Sequence, residues 1–299
     1  MMRLIHSSEY KGIAPKLDFS LPDLSESRLR DWVRALSVPR DYRAETVTNE
    51  NIGSWIAKQF EDFGYHVKIK GPLRNIIALP KEPENVVLVG AHYDSVPQSP
   101  GADDNGSAVA AMLACAQGIA TSLPQAQVAF VAFNCEETGY EGSRNFVEEF
   151  LEQAAFKVRH AHILEMVGYA SDQPGTQRIP TALPINLPSA GNFLGLLSDQ
   201  RSGGLMDGIL AQARSEFADF PVIGLEVPTG MEKCLPVLAR SDHVPFWEHG
   251  IPAVMWTDTA EFRNPNYHQP SDTPETLNYP FLRTTAQLLF TVLANTTAP

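Results

Sequence analysis

The chain has 299 residues, of which 43% are hydrophobic and 19% charged, and its formal net charge is −12. Such a composition is typical of a globular protein with a sizeable core, and the acidic excess argues against nucleic acid or an anionic membrane surface as a partner. The sequence contains no apolar run long enough to cross a membrane and no recognisable secretory signal. Its three cysteines form no C-x-x-C pattern. A cytoplasmic protein is therefore expected.

Helices and short strands are predicted in the first half of the chain. Apolar residues recur at helical spacing in "SESRLRDWVRALSV" and "TNENIGSWIAKQFEDFGY". The runs "HVKIK", "NIIALP" and "NVVLVGA" are separated by Pro and Gly, as strands are. The pattern is helical again from Ser107 to Ile119. It then predicts a strand in "QVAFVAFN", a helix in "SRNFVEEFLEQAA" and a strand in "HAHILEMVG".

Two loop sequences, 171–190 and 228–241, interrupt the second half. Between them "NFLGLLSDQ" and "GGLMDGILAQARSEF" predict a strand and a helix, and "IPAVMWTD" and "PFLRTTAQLLFTVLAN" do so after them. The strands are apolar on both faces and alternate with helices. This predicts the α/β class, as a three-layer αβα sandwich with a mostly parallel central sheet. Without repeats or linkers, a single domain over 1–299 is expected, with both loops on the rim of the active site.

Acids and histidines collect where predicted strands end, which is where open α/β sheets bind ligands. They are His92 and Asp94, then Glu136 and Glu137, then Glu165, and His268 in the late loop "NPNYHQPSDT". Asp103 and Asp104 begin the helix after the first of these strands. Taken singly, such a histidine is usually a hydrogen-bonded core residue and such an acidic pair a helix cap. Their convergence would bury much negative charge, and a shared cation removes that cost.

The donor types indicate which cation. Two imidazoles with several carboxylates suit zinc better than magnesium or calcium, which prefer oxygen ligands alone. Two histidines and at least three carboxylates exceed one tetrahedral zinc. Two ions about 3.5–4 Å apart, bridged by a carboxylate and a water, would use them all, and a remaining Glu beside the site could serve as general base.

Five motifs resemble those of a known family. "GAHYDSV", "PGADDNGSAVAAML", "FNCEETGYEGSRNF", "SDHVPFWEHGIPAV" and "NYHQPSDTPETLNY" occur in the order seen in the co-catalytic di-zinc aminopeptidases. That family includes glutamate carboxypeptidase and glutaminyl-peptide cyclotransferase. The resemblance runs from about Val86 to Tyr279. It implies a zinc metallopeptidase that hydrolyses the N-terminal peptide bond of peptide substrates.

The resemblance also implies a role for each site residue. It places His92 and Glu165 on one zinc, Glu137 and His268 on the other, and Asp104 between the two ions together with a water or hydroxide. Glu136 resembles the general base, Asp94 the carboxylate that orients His92, and Tyr267 is either an oxyanion donor or a packing residue. Asp103 is left to cap or turn. The bond Asp104–Asn105 is expected to be cis. Glu165 stands where the family commonly has Asp, so one metal site is expected to be shifted or weaker.

Other interpretations stay open beside the aminopeptidase. They are a single-zinc glutaminyl cyclase, a carboxypeptidase or dipeptidase, and a non-catalytic binding module. Apolar residues in the loops 171–190 and 228–241 favour apolar substrates. His243 is predicted to have a structural role and Cys135 to pack in the core. His160, His162 and His249 are predicted to be structural or surface residues.

Overall fold

A computed structural model describes residues 2–12, 14, 24–181 and 183–297. Within these residues, one sheet contains nine strands, which lie side by side in the order β1-β8-β7-β9-β6-β4-β5-β3-β2. The strands are β1 (Arg3–His6), β2 (His66–Lys70), β3 (Asn75–Leu79), β4 (Asn85–His92), β5 (Val128–Phe133), β6 (Lys157–Glu165), β7 (Leu194–Asp199), β8 (Val222–Val227) and β9 (Ala253–Thr257).

The sheet is mixed, with its parallel part in the middle. Strands β5, β4, β6 and β9 run parallel to one another. Strands β7 and β8 are parallel to each other, and β7 is antiparallel to β9. The remaining pairs, at the two margins, are antiparallel. The carboxyl ends of the four central strands therefore meet at one edge of the sheet.

Helices cover both faces of the sheet. They are α1 (Glu26–Leu36), α2 (Thr46–Asp62), α3 (Ala108–Ser122), α4 (Glu141–Asn145), α5 (Gly203–Glu216), α6 (His243–Glu248) and α7 (Tyr279–Thr297). Helix α1 shows how the sequence determines such an element. The Ser25 hydroxyl caps its first turn by accepting from the Arg28 amide, and the helix buries Leu29, Trp32 and Leu36 along one face.

The two faces of β4 contribute to separate cores. Val87 and Val89 pack in the core that contains α3 and α7, whereas Val86 and Leu88 pack in the core that contains Trp247 of α6. Alternate side chains of a strand point to opposite faces, so a strand that is apolar at every position must be covered on both sides. The predicted three-layer αβα architecture is confirmed.

Two strands and one short helix were not predicted from the sequence patterns. They are strands β1 and β8, which pair antiparallel at one margin, and the helix α6. The four residues of β1 are only half buried, and Gly224 interrupts the apolar run of β8, so neither gives a strong local signal. The helix predicted in "SRNFVEEFLEQAA" begins as α4 and continues through a wider turn, Phe146–Phe150.

None of the helices among the described residues has the length and hydrophobicity needed to cross a bilayer. The cytoplasmic location and the single domain stay predictions.

Candidate metal centre

The predicted ligands come from five places along the chain and meet at the carboxyl ends of the parallel strands. His92 is the last residue of β4 and Glu165 the last of β6, while Glu137 lies in the turn after β5. Asp104 lies in the turn Ala102–Ser107 that leads into α3, and His268 in the loop between β9 and α7. Because β5, β4 and β6 are adjacent, strands distant in sequence deliver these side chains to one pocket.

His92, Asp104 and Glu165 form one group that could hold a metal ion. The His92 Nε2 atom lies 3.3 Å from Asp104 Oδ1 and 3.5 Å from Glu165 Oε2. All three side chains are buried. The longer arm of Glu165, in place of the family's common Asp, thus still reaches the centre, where the Ser241 hydroxyl donates to its Oε2 atom at 2.7 Å.

Asp104, Glu137 and His268 form a second such group. The His268 Nε2 atom lies 3.2 Å from Asp104 Oδ2 and 3.0 Å from Glu137 Oε2. The two oxygens of Asp104 therefore face different histidines, which is the arrangement that a bridging carboxylate requires. The grouping is the one that the resemblance implies, and the five side chains stand as predicted ligands of two ions.

Several polar atoms at the centre lack a hydrogen-bond partner although they are buried. They are His92 Nε2, Asp104 Oδ2, Glu137 Oε1 and His268 Nε2. Leaving such atoms unpaired is costly, and in native proteins it usually marks an ion, a water or a functional site. Imidazole nitrogens and carboxylate oxygens without sulfur are donors that zinc accepts. The residues present thus fit a pair of divalent cations of the zinc type.

The close contacts among these groups shift their pKa values. Burial opposes ionisation of Asp104, but the adjacent imidazoles of His268 and His92 outweigh it and hold the pKa of Asp104 well below its usual range. Burial lowers the pKa of His268, yet its carboxylate partners raise that pKa to about 10. Burial and the charge of Asp104 raise the pKa of Glu137 to about 7. A cation would replace the protons that these groups hold.

Asp94 contacts two of the ligand-bearing segments. Its Oδ1 atom lies 3.4 Å from the Nδ1 atom of His92, whose Nε2 atom faces the ligand group. The same carboxylate accepts from the amides of Glu136 and Glu137, each at 3.2 Å. Asp94 is thus placed to orient the imidazole, as predicted from the resemblance, and it also fixes the turn that carries both glutamates.

Glu136 belongs to neither ligand group. Its Oε2 atom lies 4.0 Å from His92 Nε2, at the side of the centre. Burial, the largest cause, raises the pKa of Glu136 well above its usual range, and the neighbouring Glu165 adds to the shift. A buried carboxyl that gains a proton readily, close to the ligands but outside both groups, suits general acid–base work.

Tyr267 lies flat against a predicted ligand. Its ring stacks on that of His268 with centroids 3.7 Å apart and an interplanar angle of 19°. The Tyr267 hydroxyl accepts a hydrogen bond of 3.2 Å from the Arg240 guanidinium, which also pairs with Glu261. Both the packing role and the oxyanion role are compatible with this position.

Comparison with known proteins identifies the family. A model of peptidase family M28 matches residues 75–194 and 223–293 of the chain, well over half of it. The chain belongs to peptidase family M28. The predicted family and the predicted enzyme class, a hydrolase acting on peptide bonds, are confirmed.

Protein YfbL of Escherichia coli is similar over 237 residues at 32% identity, covering 75% of this chain and 72% of YfbL. The LapA aminopeptidase of Legionella pneumophila has a crystal structure with a TM-score of 0.72 and 18% identity, covering 95% of this chain and 78% of that one; this similarity shows the fold alone. BSAP, a zinc aminopeptidase from Bacillus subtilis, matches with a TM-score of 0.54 and 28% identity, covering 75% of this chain and 50% of that chain. This chain thus spans half of BSAP.

The turn before α3 holds one acidic residue whose role the sequence left open. Asp103 lies in the turn before α3, but its carboxylate does not cap the helix. It accepts from the amide of Gly168 at 2.9 Å and from the side chain of Asn264 at 2.7 Å, so it links the segments that follow β6 and β9. Of the two roles left open for Asp103, cap or turn, the structure shows the turn, because these partners, distant in sequence, bind the buried carboxylate. The bond Asp104–Asn105 is cis, as the resemblance implies.

Four further residues of the site had no predicted role. Asp272 accepts from the amides of Asp103 and Asp104, and Ser241 supports Glu165. Asp242 is fully buried with neither carboxylate oxygen hydrogen-bonded, and burial raises its pKa to about 7. Arg40 donates to backbone carbonyls beside the centre. Asp272, Ser241 and Asp242 lie in the motifs that carry the family resemblance, so their sequence context could have indicated a role. Arg40 lies outside all five motifs.

Four further histidines, predicted to be structural or surface residues, lie outside both ligand groups. His243 is buried, with its Nε2 atom 3.0 Å from the Leu238 carbonyl. His162 is buried in β6 and accepts from Trp256 Nε1 at 3.2 Å. His160 is buried beside it, His249 is exposed, and Cys135 is buried. These positions agree with the structural or surface roles predicted from the sequence.

An apolar cavity of about 140 Å³ opens beside the centre, with Glu165 and Tyr267 in its wall. Described residues of the loops 171–190 and 228–241 line it, and their place on the rim of an active site stays a prediction. Its apolar lining includes Leu183, Ile185, Phe193, Leu197, Val237 and Met255.

Proposed function

We propose that this chain is a zinc-dependent aminopeptidase with two ions at the centre. The observation that carries the proposal is the Asp104 carboxylate, whose two oxygens face His92 and His268 within two separate ligand groups. The unpaired buried donor atoms and the zinc aminopeptidase BSAP among the similar structures support zinc as the metal.

His92 and Glu165 would hold one ion, Glu137 and His268 the other, and Asp104 would bind both. When bound, a pair of zinc ions supplies a polarised carbonyl and a water of lowered pKa. Asp94 would orient the His92 imidazole toward the first ion and would fix the turn that carries Glu136.

Glu136 acts as general base in this proposal. It accepts a proton from the water that attacks the scissile carbonyl, and it then donates that proton to the leaving amine. Its position beside His92 but outside both ligand groups leaves its carboxyl free for that transfer. General acid–base transfer of this kind contributes about 10²–10⁴-fold in rate. In this proposal the hydroxyl of Tyr267, whose ring stacks on the predicted ligand His268, donates to the developing oxyanion.

The substrate is a peptide with a free N-terminus. The carboxylates of Glu137 and Glu165 would attract the α-ammonium group, which explains a preference for chain ends. The adjoining cavity, whose lining is mainly aliphatic and aromatic, would receive the side chain of the first residue. Apolar N-terminal residues such as leucine should therefore be preferred to lysine or glutamate.

The test compares leucyl p-nitroanilide with its N-acetylated form and with a peptide beginning with glutamine. An aminopeptidase releases nitroaniline from the free amine alone, loses activity on treatment with a chelator and regains it with zinc. Cleavage of the acetylated substrate would favour another peptidase specificity. Ring closure of the glutamine peptide without hydrolysis would favour the cyclase. Absence of bound metal and of both activities in the purified protein would refute the proposal.

A further inference from the structure

Arg40 is a fully buried cation whose guanidinium donates to five main-chain oxygen atoms. Its guanidinium donates to the carbonyls of Tyr93 at 2.6 Å, Leu36 at 2.8 Å and Gly101 at 2.9 Å, and also to those of Val38 and Pro100. Three of these five acceptors, from residues 93, 100 and 101, belong to the segment that joins His92 to Asp104. We call residues 93–104 the ligand loop.

Asp272 holds the same loop by its amides. Its carboxylate accepts from the amide of Asp103 at 3.0 Å and from that of Asp104 at 3.1 Å, and its main-chain carbonyl accepts from Ala102 at 3.2 Å. Asp272 is fully buried and lies four residues after His268. One carboxylate thus links the segment that bears the bridging ligand to the segment that bears the second histidine.

The main-chain groups of the ligand loop are oriented toward the charges of Arg40 and Asp272. Where the chain passes from Pro100 to Asp104, its carbonyls meet the guanidinium and its amides meet the carboxylate. Gly101 permits the close approach: its φ is +59°, and a Cβ atom there would overlap the Asp104 carbonyl oxygen and crowd both terminal nitrogens of Arg40. Charge-assisted hydrogen bonds in a buried setting are stronger than neutral ones, so the loop has little freedom to shift.

We propose that Arg40 and Asp272 are positioning residues that hold the ligand loop between them and so set the place of the Asp104 carboxylate relative to His92 and His268. Neither residue reaches the reacting atoms in this role. Arg40 also lies outside the residues that the family model matches, so family membership assigns it nothing. The inference rests on the proposed metal-binding function.

The experiment measures zinc binding to the full chain by competition with a chelator of known affinity, alongside the thermal unfolding of the metal-free protein. Asp272→Asn keeps the shape but turns one acceptor into a donor that faces an amide. Arg40→Lys keeps the charge but replaces the three guanidinium nitrogens that donate to the loop by a single ammonium nitrogen. Each variant should bind zinc about 10- to 100-fold more weakly than the wild type, the range seen for residues that support metal ligands.

Asp199→Asn is the matched control. Asp199 is likewise a buried carboxylate that accepts from a backbone amide, that of Ser202 at 3.0 Å, but the turn that it holds carries no predicted ligand. It should lower the unfolding temperature and leave zinc affinity unchanged. If Asp272→Asn does not fold, Arg40→Lys decides on the same measurement.

Wild-type zinc affinity in the folded Asp272→Asn and Arg40→Lys variants would overturn the inference and leave the proposed function intact. A loss of affinity no greater than in Asp199→Asn would do the same, because it would reduce both residues to general stability. A wild-type chain that binds no zinc would overturn the proposed function and this inference together.

Discussion

Replacing Glu136 by Gln removes one proton acceptor from the centre while almost preserving its shape. The side chain is buried, and its Oε2 atom lies 4.0 Å from His92 Nε2, but it belongs to neither ligand group. Zinc content should therefore stay at the wild-type value. Replacing the adjacent residue, Glu137, should instead lower the zinc content, because its Oε2 atom lies 3.0 Å from His268 Nε2 within the second ligand group.

The size of the effect follows from the role. General base transfer contributes about 10²–10⁴-fold, which corresponds to about 3–5 kcal/mol in the activation barrier. We expect kcat for leucyl p-nitroanilide to fall by about that factor in Glu136→Gln, while KM changes little, since no predicted substrate contact is lost. In Glu137→Gln, the zinc content should fall from two ions to one, because an uncharged amide is a poorer ligand.

The assay pairs steady-state kinetics with elemental analysis of both variants at equal protein concentration. The comparison of the two adjacent glutamates decides the test, because a general disturbance of the turn would change the zinc content and the activity of both variants in the same way. A fully active Glu136→Gln would remove Glu136 from the mechanism. Loss of zinc in Glu136→Gln with retention in Glu137→Gln would show that the two roles are exchanged.

Three further outcomes are expected. Burial raises the pKa values of Glu137, Asp242 and Asp272 to about 7 in the folded metal-free protein, from ordinary values of 4.5, 3.8 and 3.8. Burial also raises the pKa values of Asp103, Glu136 and Asp258, whereas it lowers those of three buried histidines, His160, His162 and His243, which act in the opposite direction. The acids outnumber the histidines, so the folded state keeps more protons than the unfolded state, and the unfolding temperature without metal should fall between about pH 4 and pH 7; a rise would contradict this sign. Tyr267→Phe should keep its zinc and lose about tenfold in kcat if the hydroxyl supports the oxyanion, whereas unchanged kinetics would assign the ring to packing. Val237→Trp, which narrows the apolar cavity, should raise KM for leucyl substrates more than for alanyl ones; an equal rise would place the first side chain elsewhere.

The central architecture could be predicted because its signals are local. Strands that are apolar on both faces and alternate with helices already specify a covered sheet with a parallel centre, and acids at the ends of such strands must converge. Strands β1 and β8 gave no comparable signal. Their pairing joins residues more than 200 positions apart, such as Ile5 and Gly224, and no short window of sequence contains both.

The supporting residues were missed for a different reason. The acceptors of Arg40 are backbone carbonyls, which every residue carries, so no residue type in the sequence indicates where that guanidinium binds. For Asp103 the residue type indicated a local role, cap or turn, but gave no indication of its distant partners. An Asp at the start of a helix is a common cap, but Gly168 and Asn264, which come more than 60 positions later, supply its partners in the folded chain.

Apart from Glu136, the acids proposed as ligands or supports of the centre divide into two groups, which differ in what each carboxylate faces. Asp104 and Glu137 face imidazole nitrogens. By contrast, Asp94 accepts from the amides of residues 136 and 137, Asp272 from those of 103 and 104, and Asp103 from that of 168. Each of these three therefore anchors the main chain within three residues of a predicted ligand. An acidic side chain at such a centre is a candidate ligand only when its oxygens remain free of amides, which is why adjacent residues such as Asp103 and Asp104 can differ entirely in role.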